Sequence, residues 1–581
     1  MPRHSVLTTV FVLAFAFAAH AADDILIADS EGDTYGESEA AGTVGATRKL
    51  ILSKKYLNFP VTTGATQRLI SLIIGGEVVR EFEIELAPAE PHFWLFLDIS
   101  EFRGEKAALR IDKLPPTQRK AFNSIFQADT FPGEEHLYKE TLRPQFHFSP
   151  RRGWNNDPNG MVYYDGEYHL FYQHNPYGWR WGNMTWGHAV STDLVHWTEL
   201  GDAIHPDRLG TIFSGSAVVD LHNTTGFQTG DEKVLVCIYT SAGGTNRMSE
   251  GQPFTQSLAY STDRGRTLTK YEDNPVQGHI NGGNRDPKVI WHEPTSQWVI
   301  VLYLDDQRMG FFTSKDLKSW QFQSELRCFH ECPELFQLPV DGDQNNKKWV
   351  LYGGSGDYFI GEFNGRQYTP ETSAIRYNYG DCFYASQTFN NVAQEDGRRI
   401  QIAWGQVSHP GMPFNQMMTF PVELTLRNTD DGVRMFAYPV KEIESIRENK
   451  HSWNDVILKP RTNLLSGIEG ELFDIHAEFA LGDAKEFGFL IRGIPVVYNV
   501  ERRELRCKKQ KAPLKPVDGT IRLRILVDRT SIEIFGNDGS IYMPVAAIPP
   551  REKKSIAVFT RGGNTKVNEL GVYALKSIWH E

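Results

Sequence analysis

Short apolar runs rich in β-branched and aromatic residues recur along nearly the whole chain, and Gly, Asn, Asp and Pro separate them. Such punctuated runs predict strands joined by turns; helical periodicity is scarce, so the chain reads as all-β. In the first zone, Arg68-Leu69-Ile70-Ser71-Leu72-Ile73-Ile74 and Phe93-Trp94-Leu95-Phe96-Leu97 are representative. A small β-sandwich is expected over residues 22–125, with the basic, Pro-bearing stretch 113–120 as a linker. In the last zone, residues 445–581, strands 520–527 and 531–535 lead into the turn Gly536-Asn537-Asp538-Gly539, the hairpin of a second β-sandwich.

The middle zone, residues 140–435, repeats itself. Ser191-Thr192-Asp193-Leu194-Val195-His196-Trp197 returns as Ser261-Thr262-Asp263-Arg264-Gly265-Arg266-Thr267 and as Ser314-Lys315-Asp316-Leu317-Lys318-Ser319-Trp320, with a weaker echo at Phe363-Asn364-Gly365-Arg366. Intervals of about 50 to 70 residues are blade-sized, one of them carrying an insertion, and they predict a β-propeller in which this segment joins the outer strands of each blade.

Charge narrows the partners. The 61 basic and 72 acidic residues leave a net charge of −11. An acidic surface has no electrostatic footprint for nucleic acid or an anionic membrane, so a neutral substrate is expected. The N-terminus reads as a cleavable signal peptide: Arg3 and His4, an apolar stretch over residues 6–18, then Ala19-His20-Ala21, with the cut after Ala21. That apolar stretch is shorter than the ~20 residues a spanning helix needs. A secreted or periplasmic protein is therefore expected. The five cysteines are odd in number and sparse, and no C-x-x-C spacing occurs, so free thiols and no zinc site are expected.

Three acids stand out in the propeller zone. Asp157 lies in Trp154-Asn155-Asn156-Asp157-Pro158-Asn159-Gly160, Asp286 in Asn284-Arg285-Asp286-Pro287, and Glu331 in His330-Glu331-Cys332-Pro333. Each precedes its own repeat marker by about 30 residues, so all three fall at the start of a first strand in different blades. First strands of a propeller line its channel, and the three acids should meet at one mouth of it. Converging carboxylates repel, which calls for a functional reason. Calcium binding would call for several acids at short intervals, as in Asp-x-Asp loops, and none of the three acids sits in such a cluster. Glycoside hydrolysis needs one carboxylate as nucleophile or base and one carboxylic acid. No cofactor and no metal is expected.

Taken together, the segments around Asp157, Phe213-Ser214-Gly215, Arg285-Asp286-Pro287 and Glu331-Cys332-Pro333, with Trp186-Gly187-His188-Ala189 and Asp528-Arg529-Thr530-Ser531-Ile532-Glu533-Ile534-Phe535, resemble glycoside hydrolase family 32, the invertases, inulinases and levanases. The resemblance runs from about residue 144 to the end, and among members the bacterial levanases look most similar. It implies a five-bladed β-propeller followed by a β-sandwich, and hydrolysis of fructans or sucrose with retention. It also implies Asp157 as nucleophile, Glu331 as general acid and then base, and Asp286 as transition-state stabiliser. Asn156, Gln173, Trp181, Phe213, Ser214 and Arg285 match pocket positions of the family, and Asp381, in Tyr379-Gly380-Asp381-Cys382-Phe383-Tyr384, resembles another family segment. Singly, Gln173 and Ser214 read as strand or turn polars and Trp181 as a core residue. Asn155 departs from the pattern, where an apolar residue is usual, and is expected to alter pocket packing or leaving-group preference. A fructosyltransferase with a sugar acceptor, or a non-catalytic fructan-binding protein, are the other readings. Residues 22–125 lie outside the resemblance and read as an accessory domain, either carbohydrate-binding or purely structural.

Overall fold

The computed structural model describes residues 26–27, 45–393 and 395–579, so the expected signal peptide lies outside the described residues. Residues 147–439 build five four-stranded antiparallel blades. Blade one runs Gly153–Tyr164, Glu167–Asn175, Thr185–Ser191 and Thr198–Ile204; blade two begins at Thr211–Asp220, blade three at Arg285–His292, blade four at Glu334–Val340 and blade five at Tyr384–Thr388. The innermost strands are almost wholly buried.

The Ser-x-Asp repeat is a turn with its own hydrogen-bond logic. Oγ of Ser191 donates to Asp193 Oδ1 (3.1 Å), which also accepts from the N–H groups of Val195 (3.0 Å) and His196 (2.8 Å). Ser314 and Asp316 repeat this arrangement with Lys318 and Ser319. Leu194 and Leu317 take left-handed φ of 66° and 61°, and the shared Trp197 and Trp320 each donate Nε1–H to that leucine's carbonyl (3.2 Å). In the fourth copy Asn364 Oδ1 plays the acceptor, to Arg366 and Gln367. In all four blades this turn joins the third strand to the fourth, the outer pair.

Ring closure is local. Phe414–Asn415 pairs in parallel with Gly153 and Trp154 of the first innermost strand, and Val162 bridges to Asn390 just after the last one. Polar side chains stitch the channel wall: Ser216 Oγ donates to the Pro287 carbonyl (2.9 Å) and accepts from the Val289 N–H (2.8 Å), and Asn390 Nδ2 donates to the Ala217 and Val289 carbonyls.

Six- and five-stranded sheets pack face to face over residues 447–575, around Ile475, Phe479, Phe487, Phe489, Ile525, Ile534 and Val558. A buried ion cluster joins this sandwich to the propeller. His147 Nδ1 lies 2.8 Å from Asp528 Oδ2 and its Nε2 lies 3.0 Å from Glu533 Oε1. Burial alone would depress this imidazole, but the two carboxylates outweigh it and push it up to about 9.

The N-terminal zone forms a five-stranded and a three-stranded sheet around Phe59, Leu72, Leu95 and Leu109. Here the expected linker is corrected: Pro116–Asn123 is an α-helix. Pro116 fits the first helical turn, where no N–H is needed. Gln118, Ala121 and Phe122, spaced three and four apart, bury one face of it, and Gln118 Nε2 donates to the Leu86 carbonyl at 2.8 Å. Those spacings carry the helix through a basic stretch. All five cysteines are free thiols.

Candidate active site

A cavity of about 370 Å³ opens at the channel mouth, lined by Asn156, Asp157, Gln173, Trp181, Phe213, Ser214, Arg285, Asp286, Glu331, Tyr384 and Trp404. The backbone explains how residues from four innermost strands turn inward together. In blades one, two, three and five, the ladder between the first and second strands slips register at the site residues: opposite 155–158, between Ile212 and Gly215, between Arg285 and Lys288, and between Tyr384 and Gln387. Bulges of this kind re-aim side chains. Asp286, Glu331, Cys332 and Ala385 also carry positive φ of 63°, 33°, 46° and 48°. Non-glycine residues hold such angles only where the surrounding structure enforces them.

Each acid has a distinct set of partners. Asp157 Oδ2 accepts from Ser214 Oγ (2.6 Å) and its Oδ1 from Asn156 Nδ2 (3.0 Å). Asn156 is itself aimed by Trp154 Nε1 (2.9 Å). Burial raises the Asp157 carboxyl above its usual range, and these donors offset part of that. Asp286 Oδ2 accepts from the Cys332 N–H (3.1 Å) and lies 3.4 Å from its Sγ, while its own N–H donates to Thr240 Oγ1 (3.0 Å). Burial, then the neighbouring charge of Glu331, push the Asp286 carboxyl up to about 7. Glu331 Oε2 accepts from Arg285 Nε (3.0 Å) and Nη2 (2.8 Å), and its Oε1 accepts from the Tyr384 hydroxyl (2.8 Å). Arg285 also lies over the Tyr303 ring, 4.7 Å from its centroid. Burial, then the charge of Glu331, hold the Tyr384 phenol neutral far above its ordinary range, so it acts as a donor.

The aromatic side of the cavity is open. Trp181 is 52 % exposed and stands edge-on to Phe213, centroids 5.9 Å apart at 81°. Gln173 Nε2 donates to the Ile212 carbonyl (2.8 Å). Trp404, 5.9 Å from Trp154 and 6.3 Å from Tyr384 between ring centroids, adds a second indole to the lining. A flat indole beside clustered carboxyls, an amide and a guanidinium is the chemistry of a site for a neutral, hydroxyl-rich ring.

Two expectations are corrected. Asp381 is not part of this lining: its Oδ1 accepts from the Ala546 N–H (2.9 Å) and its Oδ2 from Gln510 Nε2 (3.2 Å), both in the C-terminal sandwich. Its segment does reach the cavity, but through Tyr384, three residues on. Asn155 is buried and does not line the cavity either. In the amide orientation that satisfies its neighbours, its Nδ2 donates to the carbonyls of Asn415 and Gln416 (3.1 Å each). These bonds run to the segment that pairs in parallel with Gly153 and Trp154, so Asn155 serves the closure of the ring. Sequence reasoning missed Tyr384 and Trp404 as site residues. The only signal for Trp404 was its place at the end of the apolar strand Arg399–Gly405, before a glycine.

Residues 147–439 match the family described as glycosyl hydrolases family 32 N-terminal domain, and residues 442–574 match glycosyl hydrolases family 32 C terminal. A levanase of Bacillus subtilis (strain 168) is 43% identical over 504 residues, covering 78% of this chain and 73% of that protein. An extracellular exo-inulinase of Aspergillus ficuum is 31% identical, covering 76% of this chain and 96% of that protein. Among solved structures, a fructofuranosidase variant from Schwanniomyces occidentalis complexed with fructosylnystose superposes with a TM-score of 0.68 at 29% identity, over 76% of this chain and 99% of that one.

Proposed function

The chain belongs to glycosyl hydrolase family 32, and on that premise we propose that it is a retaining β-fructosidase that releases terminal fructose from fructans such as levan and inulin, and from sucrose. The observation that carries the reading is the convergence of Asp157, Asp286 and Glu331, from three different blades, on one cavity with an exposed indole at its edge.

In this mechanism the terminal furanose enters the cavity against Trp181 and Phe213. Asp157, oriented by Ser214 and Asn156, attacks the anomeric carbon, and the bond to the leaving oxygen breaks. Glu331, held by Tyr384 and Arg285, gives its proton to that oxygen. It then takes a proton from the water that cleaves the fructosyl–Asp157 ester, so two inversions give net retention. Asp286 forms no covalent bond. Its carboxyl binds ring hydroxyls, and its negative charge stabilises the positive charge that develops on the sugar. Asp157 and Asp286 both act ionised, and burial lifts both carboxyls, so activity is expected to fall as the solution is acidified.

Secretion accords with this reading, since levan and inulin are polymers and a matched exo-inulinase is described as extracellular. The test is a product profile on levan, inulin and sucrose. Monomeric fructose without oligomers from levan and inulin, and equal amounts of fructose and glucose from sucrose, are expected, the fructose first formed as the β anomer by NMR. A ladder of oligomers would mean internal cleavage, fructosylated sugars would mean transfer, and no release from any of the three would overturn the assignment.

A further inference from the structure

The N-terminal sheets are not a separate appendage. The edge strand Glu77–Ile84 is pinned to the loop that carries Trp181. Asn183 Oδ1 accepts from the Glu83 N–H and Asn183 Nδ2 donates to the Glu83 carbonyl, both at 2.8 Å, so this amide pairs with the strand edge as another strand would. Beside it, Phe82 and Tyr177 stack at 3.7 Å, 8° from parallel, and both rings are buried. Two such fixed contacts set the sheet against the mouth of the propeller.

Between them lies a second cavity, of about 270 Å³. Its walls include Gln67, Leu69 and Glu83 from the N-terminal sheet, and Thr211, Asn246 and Arg247 from blade two. Trp181 lines this cavity and the catalytic one alike. Thr211 lies two residues before Phe213 on the same strand, so the two cavities share a wall as well as an indole.

We propose that this cleft is a binding site for the part of a fructan chain that extends beyond the fructosyl unit being cleaved, with the N-terminal sheet as one of its walls. The inference rests on the β-fructosidase reading. A substrate held with one ring against one side of Trp181 leaves past that indole, and the cleft begins there. Exposed Gln67, Glu83 and Arg247 present an amide, a carboxylate and a guanidinium, which donate to and accept from neighbouring hydroxyls. Opposite charges on the two walls favour a neutral polyol over an ion. The apolar Leu69 and Trp181 supply faces for the sugar rings.

The experiment uses the full chain carrying Asp157→Ala, which slows hydrolysis by about 10³-fold or more, and titrates it by calorimetry with sucrose and with fructan oligomers of increasing length. Affinity is expected to rise by about tenfold from sucrose to the longer oligomers. That rise should vanish when Gln67→Ala and Arg247→Ala are added, while sucrose affinity stays within about twofold. Both added substitutions are at exposed positions, and an unchanged melting temperature verifies that the fold is intact. A rise with length that survives them, or no rise in the parent, overturns the cleft. Sucrose binding without a length effect sinks the cleft alone; no binding of any of these sugars would take the functional assignment down with it.

Discussion

Arg285 places two donors, Nε at 3.0 Å and Nη2 at 2.8 Å, on the same oxygen of Glu331, and leaves the other oxygen to the hydroxyl of Tyr384. The carboxyl proposed as the general acid is thereby held on both sides by residues of two other blades. Tyr384→Phe removes one of those holds without changing the ring. A loss of about 10- to 100-fold in kcat with a small change in KM is expected, because the hydrogen bond orients the acid and leaves the fructosyl pocket intact. Steady-state kinetics on sucrose check it, and unaltered kcat would remove Tyr384 from the mechanism.

Asp157→Ala and Glu331→Ala should each lower kcat by about 10³-fold or more with the fold retained, since the roles proposed for both groups are chemical. Activity assays paired with circular dichroism separate this outcome from misfolding. Near-normal turnover in either variant would reject the assigned roles.

Asp286 should make stability depend on pH in a defined direction. Its carboxyl is lifted to about 7 in the folded protein by burial and by Glu331, well above the 3.8 of a free carboxyl. The folded state therefore holds this proton more tightly than the unfolded chain does. Raising the pH from about 4 to about 7 costs stability, and the cost persists above that window. Asp286→Asn removes the charge, so its melting temperature should exceed the parent's by more at pH 8 than at pH 4, while activity falls by about 100-fold or more. An equal difference at the two pH values would contradict the lifted carboxyl.

His147 fastens the propeller to the sandwich. With its imidazole pushed up to about 9, it contributes stability that is fully present below pH 6.5 and is lost as the pH rises through 9. His147→Ala leaves Asp528 and Glu533 buried without their partner, and a loss of about 3–5 kcal/mol is expected at pH 6. The gap between variant and parent should narrow by pH 9.5. Urea denaturation at the two pH values measures both effects, and a gap independent of pH would mean that the histidine is neutral in the fold.

Much of this site was legible because its residues sit in short segments with strong local grammar. Asp157, Asp286 and Glu331 each precede a proline or lie one residue from it, and their common phase within a repeat placed them in the same layer of three blades. The repeat was readable for the same reason: a Ser-x-Asp turn is satisfied by its own neighbours, so its sequence is nearly its structure. The helix Pro116–Asn123 was missed because a basic, proline-led stretch also fits a linker, and only the burial of Phe122 and Gln118 against the sheets decides between them.

The chain by itself determined the strand-and-turn periodicity, the three acids and their order, and the polar residues adjacent to them, all features written in residues close together in sequence. Tertiary structure alone decided which member of the 379–384 segment faces the cavity, that Asn155 turns its back on it, that Trp404 joins its lining, and that the N-terminal sheet lines a neighbouring cavity that shares Trp181. Those choices depend on bulges, left-handed residues and contacts between segments far apart in the chain, where a slip of one residue exchanges the inner face for the outer.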